Sequence, residues 1–393
     1  MRNIIFYNMC FGDSFLIRDD KSGLLVDCGS KNQGPTRKRY MGNLITSHLN
    51  RLDSKRLLIT HYHADHINTL FNLFANGITF DEIYVRDLSR NRLKFDFSSA
   101  VSNLTIYAKI TGDYKSYLAW LRPRKLKTIL SKGGTVYGVN NTNRRTVRIG
   151  KTTANILWPS PNVDVQPDLS KKIKEVGEKL FDSICFDENN KVVKLIKKLY
   201  SFFDELIEEA ENEEAINEKT IDYILDKYED DEFPSDEEID DYLKRIDTTK
   251  KEFKEASDLE NKLSIVFEID SKLLMCGDAD NDAMDCALKK HNDNSEGKDT
   301  IFALIKVPHH GTEDYYYSKL PCDDETIYLI PNSKQRQGTG WSIFDQYTCA
   351  AAPKVRYCYS LNNSATTACP TAKSGKCRFP YFHGILDFLI FPF

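Results

Sequence analysis

The run His61-Tyr62-His63-Ala64-Asp65-His66 constrains this chain more than any other stretch. It packs four metal-binding groups into six residues, in a 393-residue chain with only eight histidines. Zinc and similar borderline ions take imidazole nitrogen and carboxylate oxygen, and a catalytic site leaves one position open for water. Its flanks place the run in a fold. Arg56-Leu57-Leu58-Ile59-Thr60 reads as a strand entering it. Behind it, Ile67, Leu70, Phe71, Leu73 and Phe74 recur at helical spacing, with Gly77 as the stop. Strand, ligand loop, helix is the order in which α/β folds place chemistry, at the carboxyl ends of strands.

Two further clusters weigh against the bland reading, a surface loop that happens to hold histidines. Met275-Cys276-Gly277-Asp278-Ala279-Asp280 puts a carboxylate just after an apolar strand. Lys306-Val307-Pro308-His309-His310-Gly311-Thr312 puts two imidazoles just after another. Each alone is weak, because Gly-Asp turns and capping histidines are common. Three strand ends delivering ligands in sequence are far harder to dismiss.

The rest of the chain frames this core. Ile4 to Tyr7, Ser14 to Ile17 and Gly23 to Gly29 read as opening strands, and Arg39 to Leu52 as a helix that carries His48 as an ordinary residue. Residues 78–162 read as strands with one or two helices, closing at Pro159-Ser160-Pro161. Residues 164–256 differ in kind. They hold 29 Asp or Glu against 15 Lys or Arg, a surplus of 14 negative charges in a helical, sparsely apolar pattern broken at Pro234. Since the whole chain carries −4, the remainder carries +10. The acidic block reads as a helical insertion or lid, or as a solvated decoration without a role in substrate choice. Strand patterns resume with a hairpin over 264–276, then over 301–307, 326–330 and 355–360. The run Ile385 to Phe393 reads as a buried final strand or tail.

At 41% hydrophobic residues, the chain can bury a large core in one to three domains. No apolar run reaches membrane-spanning length, and the first 16 residues lack the layout of a signal peptide, so a soluble cytoplasmic protein with no membrane partner is expected. The ten cysteines form no C-x-x-C. The spacing of Cys349, Cys358, Cys369 and Cys377 fits no common zinc pattern, so these read as scattered thiols.

With these motifs in view, the sequence resembles the metallo-β-lactamase superfamily, and most of all its DNA-uptake competence (ComEC-like) branch. Gly12-Asp13-Ser14 and Leu25-Val26-Asp27-Cys28-Gly29 are similar to that branch's opening strands. Thr60 to His66 is similar to the superfamily's signature loop, Gly277-Asp278 to its bridging aspartate, and Pro308-His309-His310-Gly311 to its final ligand motif. The resemblance covers roughly 1–160 and 262–360. It implies an α+β fold, a four-layer αββα metallo-β-lactamase sandwich, here with an acidic helical insertion. The domain reading is 1–163 for the first half, 164–256 for the insertion, and 257–393 for the second half with its tail.

The same resemblance implies a ligand set. His61 and His63 would bind one metal, Asp65 and His66 the other, and Asp278 would bridge. One of His309 and His310 would complete the second site; the remaining one would hold a substrate oxygen or protonate the leaving group. The cofactor is one or two zinc ions, or manganese. Asp65, His309 and His310 are the catalytic candidates. A metal-activated hydroxide would attack, with Asp65 orienting the water. One departure stands out. The family's usual additional histidine is missing, because no histidine occurs from 67 to 290, and Trp158 ends the strand where it belongs. Water would fill the gap, or that metal would bind weakly, or the chemistry would run on one metal; a tight second site and a labile first site are the expectation.

The basic remainder favours an anionic substrate. Arg37-Lys38-Arg39, Arg122 to Lys127 and Arg144-Arg145 are basic clusters, and Lys306, Thr312, Arg144 and Arg145 are the substrate-binding candidates. The expected function is a phosphodiesterase or nuclease acting on nucleic acid or another phosphodiester, with a protein partner for the acidic insertion a further option. The alternatives are a small-molecule ester or phosphodiester hydrolase closed by the insertion, and a non-catalytic binding protein with a decayed metal site.

Overall fold

The computed structural model describes residues 2–31, 34–86, 90–111, 134–142, 145–160, 167–213, 233–294, 301–322, 326–331, 357–359 and 388–393. The strands of the first half are β1 (Arg2–Tyr7), β2 (Phe15–Asp19), β3 (Ser22–Val26), β4 (Ser54–Leu58), β5 (Glu82–Arg86) and β6 (Thr135–Val139). Next come β7 (Thr146–Ile149), β8 (Thr152–Trp158), β9 (Val266–Ile269), β10 (Leu273–Met275), β11 (Leu304–Lys306), β12 (Ile327–Leu329) and β13 (Tyr357–Tyr359), and last β14 (Phe388–Pro392). They form two seven-stranded sheets, ordered β14-β1-β2-β3-β4-β5-β6 and β13-β12-β11-β10-β9-β8-β7. Both begin with antiparallel strands and continue with parallel ones, from β3 to β6 and from β10 to β13. Parallel neighbours need crossovers. Helix α1 (Pro35–Leu49) links β3 to β4.

Alternation along the strands builds the layers. Ile4, Phe6, Phe15, Ile17, Leu24 and Val26 face the opposite sheet, where Phe267, Ile269, Leu273 and Met275 meet them. Their neighbours Ile5, Tyr7, Leu16 and Leu25 face outward onto Met41, Ile45 and Leu49 of α1. A strand covered on both faces must be apolar at nearly every position, which is why these runs read as continuous. On the far side, Val266, Leu274 and Ile305 pack under Ala283, Met284 and Ala287. The result is a four-layer αββα sandwich in the α+β class.

The stripe behind the histidine run is two short helices rather than one, α2 (Ala64–Ile67) and α3 (Leu70–Ala75). Cross-links cause the break: the Asn68 side chain accepts from Ser30 N at 3.0 Å, and Thr69 N donates to Cys28 O at 2.9 Å. Gly77 follows α3 with φ +78, as a helix-terminating glycine should.

The other helices are α4 (Arg90–Thr111), α5 (Pro167–Ile184), α6 (Lys191–Glu213), α7 (Asp236–Arg245), α8 (Lys251–Lys262) and α9 (Asn281–Asn294). Among the described residues, the helices of the acidic stretch share a core with α4, in which Val176, Leu180, Ile196 and Tyr242, with Leu259 of α8, meet Val101 and Leu104. Ser235, after Pro234, starts α7 with a reciprocal capping box to Glu238, worth about 1 kcal/mol. Two details differ from expectation. Ile301 is exposed, so the strand of that region is only β11. The final strand lies on the sheet edge, with Phe391 buried and Ile390 exposed. No helix among the described residues is long and apolar enough to cross a membrane.

Candidate metal centre

Four strand ends and one turn converge. The β1–β2 turn brings Asp13, the exit of β3 brings Asp27, and the exit of β4 leads through His61 and His63 into α2 with Asp65 and His66. The exit of β10 brings Asp278, and that of β11 brings Lys306, His309 and His310. All lie buried except the rim residue His309.

The backbone is shaped for this meeting. Gly277 has φ +52, and a Cβ there would lie 2.3 Å from Ser264 Oγ, so only glycine fits before Asp278. Asp278 N then donates to Ser264 Oγ at 2.9 Å. A Cβ on Gly29 would lie 2.3 Å from the Asp65 carbonyl carbon, so the exit of β3 can touch the ligand turn. His309 and His310 both adopt left-handed conformations, at φ 42 and φ 56, each costing on the order of 1–3 kcal/mol. Two consecutive non-glycine residues hold that strain only where the surroundings enforce it.

Asp278 is the hub. Its Oδ2 lies 3.2 Å from His66 Nε2, 3.4 Å from His310 Nε2, 3.7 Å from His309 Nε2 and 3.8 Å from His61 Nε2. Asp65 Oδ2 lies 3.4 Å from His310 Nε2 and 3.0 Å from Lys31 Nζ. Around this hub, His61, His66 and Asp278 bring one donor atom each within 4.8 Å of one another; so do Asp65, His66 and His310, and Asp13, Asp278 and His310. His310, not His309, therefore sits among the convergent donors. His63 does not join them; its Nε2 lies 3.1 Å from Ser257 Oγ of α8.

Carboxylates back two of the imidazoles. His66 Nδ1 meets Asp27 Oδ2 at 2.8 Å, and His310 Nδ1 meets Asp13 Oδ1 at 3.1 Å. Asp27 is fixed in turn by Thr60, whose N and Oγ1 donate at 2.8 and 2.7 Å. Burial opposes the charge on His66, yet Asp278, Asp27 and Asp13 raise its pKa well above the ordinary value. The same contest, won by Asp278 and Asp13, lifts His310 to about 10. Burial, with positive neighbours, depresses His61 and takes His63 down to about 3. Burial opposes ionisation of Asp278, but His310, His66 and Lys306 hold it well below the carboxylate range.

The donor set fits a divalent metal. His61 Nε2, Asp65 Oδ1 and His310 Nε2 are buried without a hydrogen-bond partner, which is costly for polar atoms that no cation satisfies. Mixed imidazole and carboxylate donors suit zinc or manganese.

Other expected residues lie elsewhere. Lys306, expected to face substrate, is fully buried. Its three ammonium hydrogens go to Asp13 Oδ2 and Gly277 O, both at 2.6 Å, and Asp278 Oδ1 at 3.2 Å, making it a strut between strand ends. Thr312 is buried too and works on His309. Its hydroxyl lies 3.0 Å from the His309 carbonyl and 2.5 Å from the ring Nδ1, which holds the imidazole with Nε2 toward Asp278. Arg145 is exposed at the start of edge strand β7, where its Nε donates to Thr142 O. Arg144, the 122–127 basic cluster, Cys349, Cys369 and Cys377 lie outside the described residues. Trp158 is buried and donates its indole N–H to Lys262 O at 2.7 Å, so it supplies no ligand in place of the absent histidine.

Asp13, Asp27, Ser264 and Lys31 are functional neighbours that the sequence left without roles. For Asp27 a signal existed: an apolar strand closing on a carboxylate, the pattern that flagged Asp278.

Comparison with known proteins agrees with the first ligand loop. Residues 7–88 match the profile of the Metallo-beta-lactamase superfamily. No curated protein matches the chain. Among solved structures, the metallo-beta-lactamase fold protein YhfI from Bacillus subtilis is similar at 17% identity and a TM-score of 0.22. That match covers 39% of this chain and 52% of YhfI, so it spans about half the length of that protein.

Proposed function

We propose that this chain is a metal-dependent hydrolase that cleaves phosphodiesters, with nucleic acid as the substrate class. One observation carries the reading: buried imidazole and carboxylate donors converge on Asp278 with ligand atoms left unsatisfied. His61, Asp65, His66, Asp278 and His310 would hold a divalent ion, which would supply Lewis acidity and bring a water's pKa toward neutrality.

The chain's own residues do the rest. Asp65 is held ionised against burial by Lys31, His310 and His66, and its unpaired Oδ1 can orient an attacking water and accept its proton. Lys31 keeps its ammonium 3.0 Å from this carboxylate while its side chain is 40% exposed, so it can meet an anionic group arriving from solvent. His309, on the rim with Nε2 toward Asp278, is placed to contact a substrate oxygen or its proton. The +10 balance outside the acidic block, Arg145 on the edge strand, and the competence-type motifs favour a polyanion over a neutral ester.

A second reading has its own support. Helix α8 lies against the centre, with Ser257 on His63 and Asn261 on Tyr315, and a covered site favours a small diester.

Cleavage of single- and double-stranded DNA and RNA, with zinc, manganese or chelator, separates the readings when run beside an Asp65→Ala, His66→Ala double variant. Metal-dependent cleavage lost in the variant supports the nuclease. Hydrolysis of bis-p-nitrophenyl phosphate alone supports the small diesterase. Silence on both, with no metal bound, favours a binding protein.

A further inference from the structure

Helix α8, which starts in the acidic block and runs past its end, meets the metal centre with one face. Ser257, Glu260 and Asn261 of α8 fall at i, i+3 and i+4, so their side chains leave the same side. Each touches a different part of the cradle. Ser257 Oγ meets His63 Nε2 at 3.1 Å. Glu260 Oε2 accepts from Tyr62 N, the amide between His61 and His63, at 3.3 Å. Asn261 Nδ2 donates to Tyr315 OH at 2.8 Å, and the Tyr315 ring lies 4.0 Å from that of His309.

Glu260 is itself immobilised. It is fully buried, with Arg86 Nη2 at 2.5 Å, and the same nitrogen meets Asp96 Oδ1 of α4 at 2.6 Å. The Arg86 guanidinium lies 4.9 Å from the Tyr62 ring centroid. Tyr62 is thus gripped at its amide and at its ring, which fixes the direction in which each neighbouring histidine leaves the chain. His61 turns inward, with Nδ1 3.3 Å from Ser264 Oγ and Nε2 toward Asp278. His63 turns to Ser257.

We infer that Ser257 is a positioning residue that withdraws His63 from the ligand set, leaving a centre for one tightly held divalent metal rather than two. This rests on reading the cluster as a metal centre. The first half-site would have to be built from His61, His63 and Asp278 with a further imidazole. The strand end that should supply it carries Trp158, whose indole is committed to Lys262 O. Among the described residues the end of β8 offers no imidazole to offset the move, so the hydroxyl keeps His63.

The test uses zinc alone as the probe on the full chain. Zinc retained after exhaustive dialysis is counted for the wild type, His61→Ala, His63→Ala and Ser257→Ala, with a thermal melt as the folding check. Histidine ring 15N shifts are followed during zinc titration of the wild type and Ser257→Ala. The expected result is one equivalent in the wild type, retained in His63→Ala and weakened at least tenfold in His61→Ala. The ring of His63 stays unmoved by zinc while those of His66 and His310 shift, and Ser257→Ala lets His63 respond. Two tight equivalents, or a wild-type His63 ring that shifts with the others, overturns the inference and leaves the hydrolase reading standing. A His63 that stays silent in Ser257→Ala overturns the role of Ser257. No zinc in any protein overturns the metal-centre reading and the inference together. The shift measurement on the wild type decides the matter even if a variant fails to fold.

Discussion

The two sides of the cradle are built from different chemistry. On one, His66 and His310 lean on Asp27 and Asp13, and Lys306 ties Asp13 to Asp278. On the other, His61 leans on the hydroxyls of Ser264 and Thr60, and His63 on that of Ser257. A partner behind an imidazole orients it and strengthens its basicity toward a metal, and a charged carboxylate does so more than a neutral hydroxyl. Against burial, the carboxylates raise His66 and His310, whereas burial and positive neighbours lower His61 and His63. The same residue type thus meets different support on the two sides, and metal affinity should differ accordingly.

Substitutions can break or sharpen this contrast. The largest effect is expected at Asp278, which both sides share. Asp278→Ala should cost metal affinity and phosphodiester hydrolysis more than the roughly 100-fold upper range for outer-shell changes, read by metal titration and initial rates. Asp27→Asn removes the charge behind His66 together with one of the two oxygens that accept from Thr60 and meet His66, and should weaken zinc by about 10–100-fold. Ser264→Ala, its counterpart behind His61, should cost less than about 10-fold, below the carboxylate range. Equal losses in the last two would erase the distinction between the sides.

The smallest effect tests whether carboxylate backing alone makes a metal site. Buried His291 meets Glu268 at 3.2 Å away from the cradle. Burial opposes ionisation of Glu268, but the His291 contact and the Asn155 hydrogen bond hold its pKa below 4.5. Its stabilising contribution is therefore complete above the ordinary glutamate pKa and fades as pH falls through the lowered value. Glu268→Gln should lower the melting temperature near neutrality, converge with the wild type in acid, and leave zinc content unchanged. Loss of zinc in that variant would show that the two sites are coupled.

Much of the cradle was readable because its ligands follow apolar strands within a few residues. The 61–66 run, Asp278 and the 309–310 pair announced themselves by that local pattern. The choice of His310 did not, since adjacent residues share one sequence signal, and two left-handed backbones decide which ring turns inward. Lys306 lies buried at a strand end between two aspartates, which makes it a strut, and nothing in its local sequence marks that position. Ser257 and Glu260 were invisible: they lie 194 and 198 residues from their partners, and nothing in a helical acidic pattern marks which face meets the sheet. The fold was legible for a related reason. Strands buried on both faces leave apolar runs, while the splitting of α2 from α3 depends on contacts with residues 28–30 that no local window contains.

The backbone lattice around the ligand turn also bears on how the protein breathes. Asp13 N donates to Asp65 O at 3.0 Å, Cys28 N to His66 O at 2.6 Å, and Gly29 N to Asp13 O at 3.0 Å, so the turn is stitched to the exits of central strands. Segments bonded in this way do not open as independent loops; their amides trade hydrogen with solvent only when the larger cooperative unit lets go. The amides of Asp13, Cys28 and Gly29 should then rank among the slowest to exchange with deuterium. An ion would come and go by way of side chains at the mouth, on a clock separate from the unfolding of the sheet beneath it.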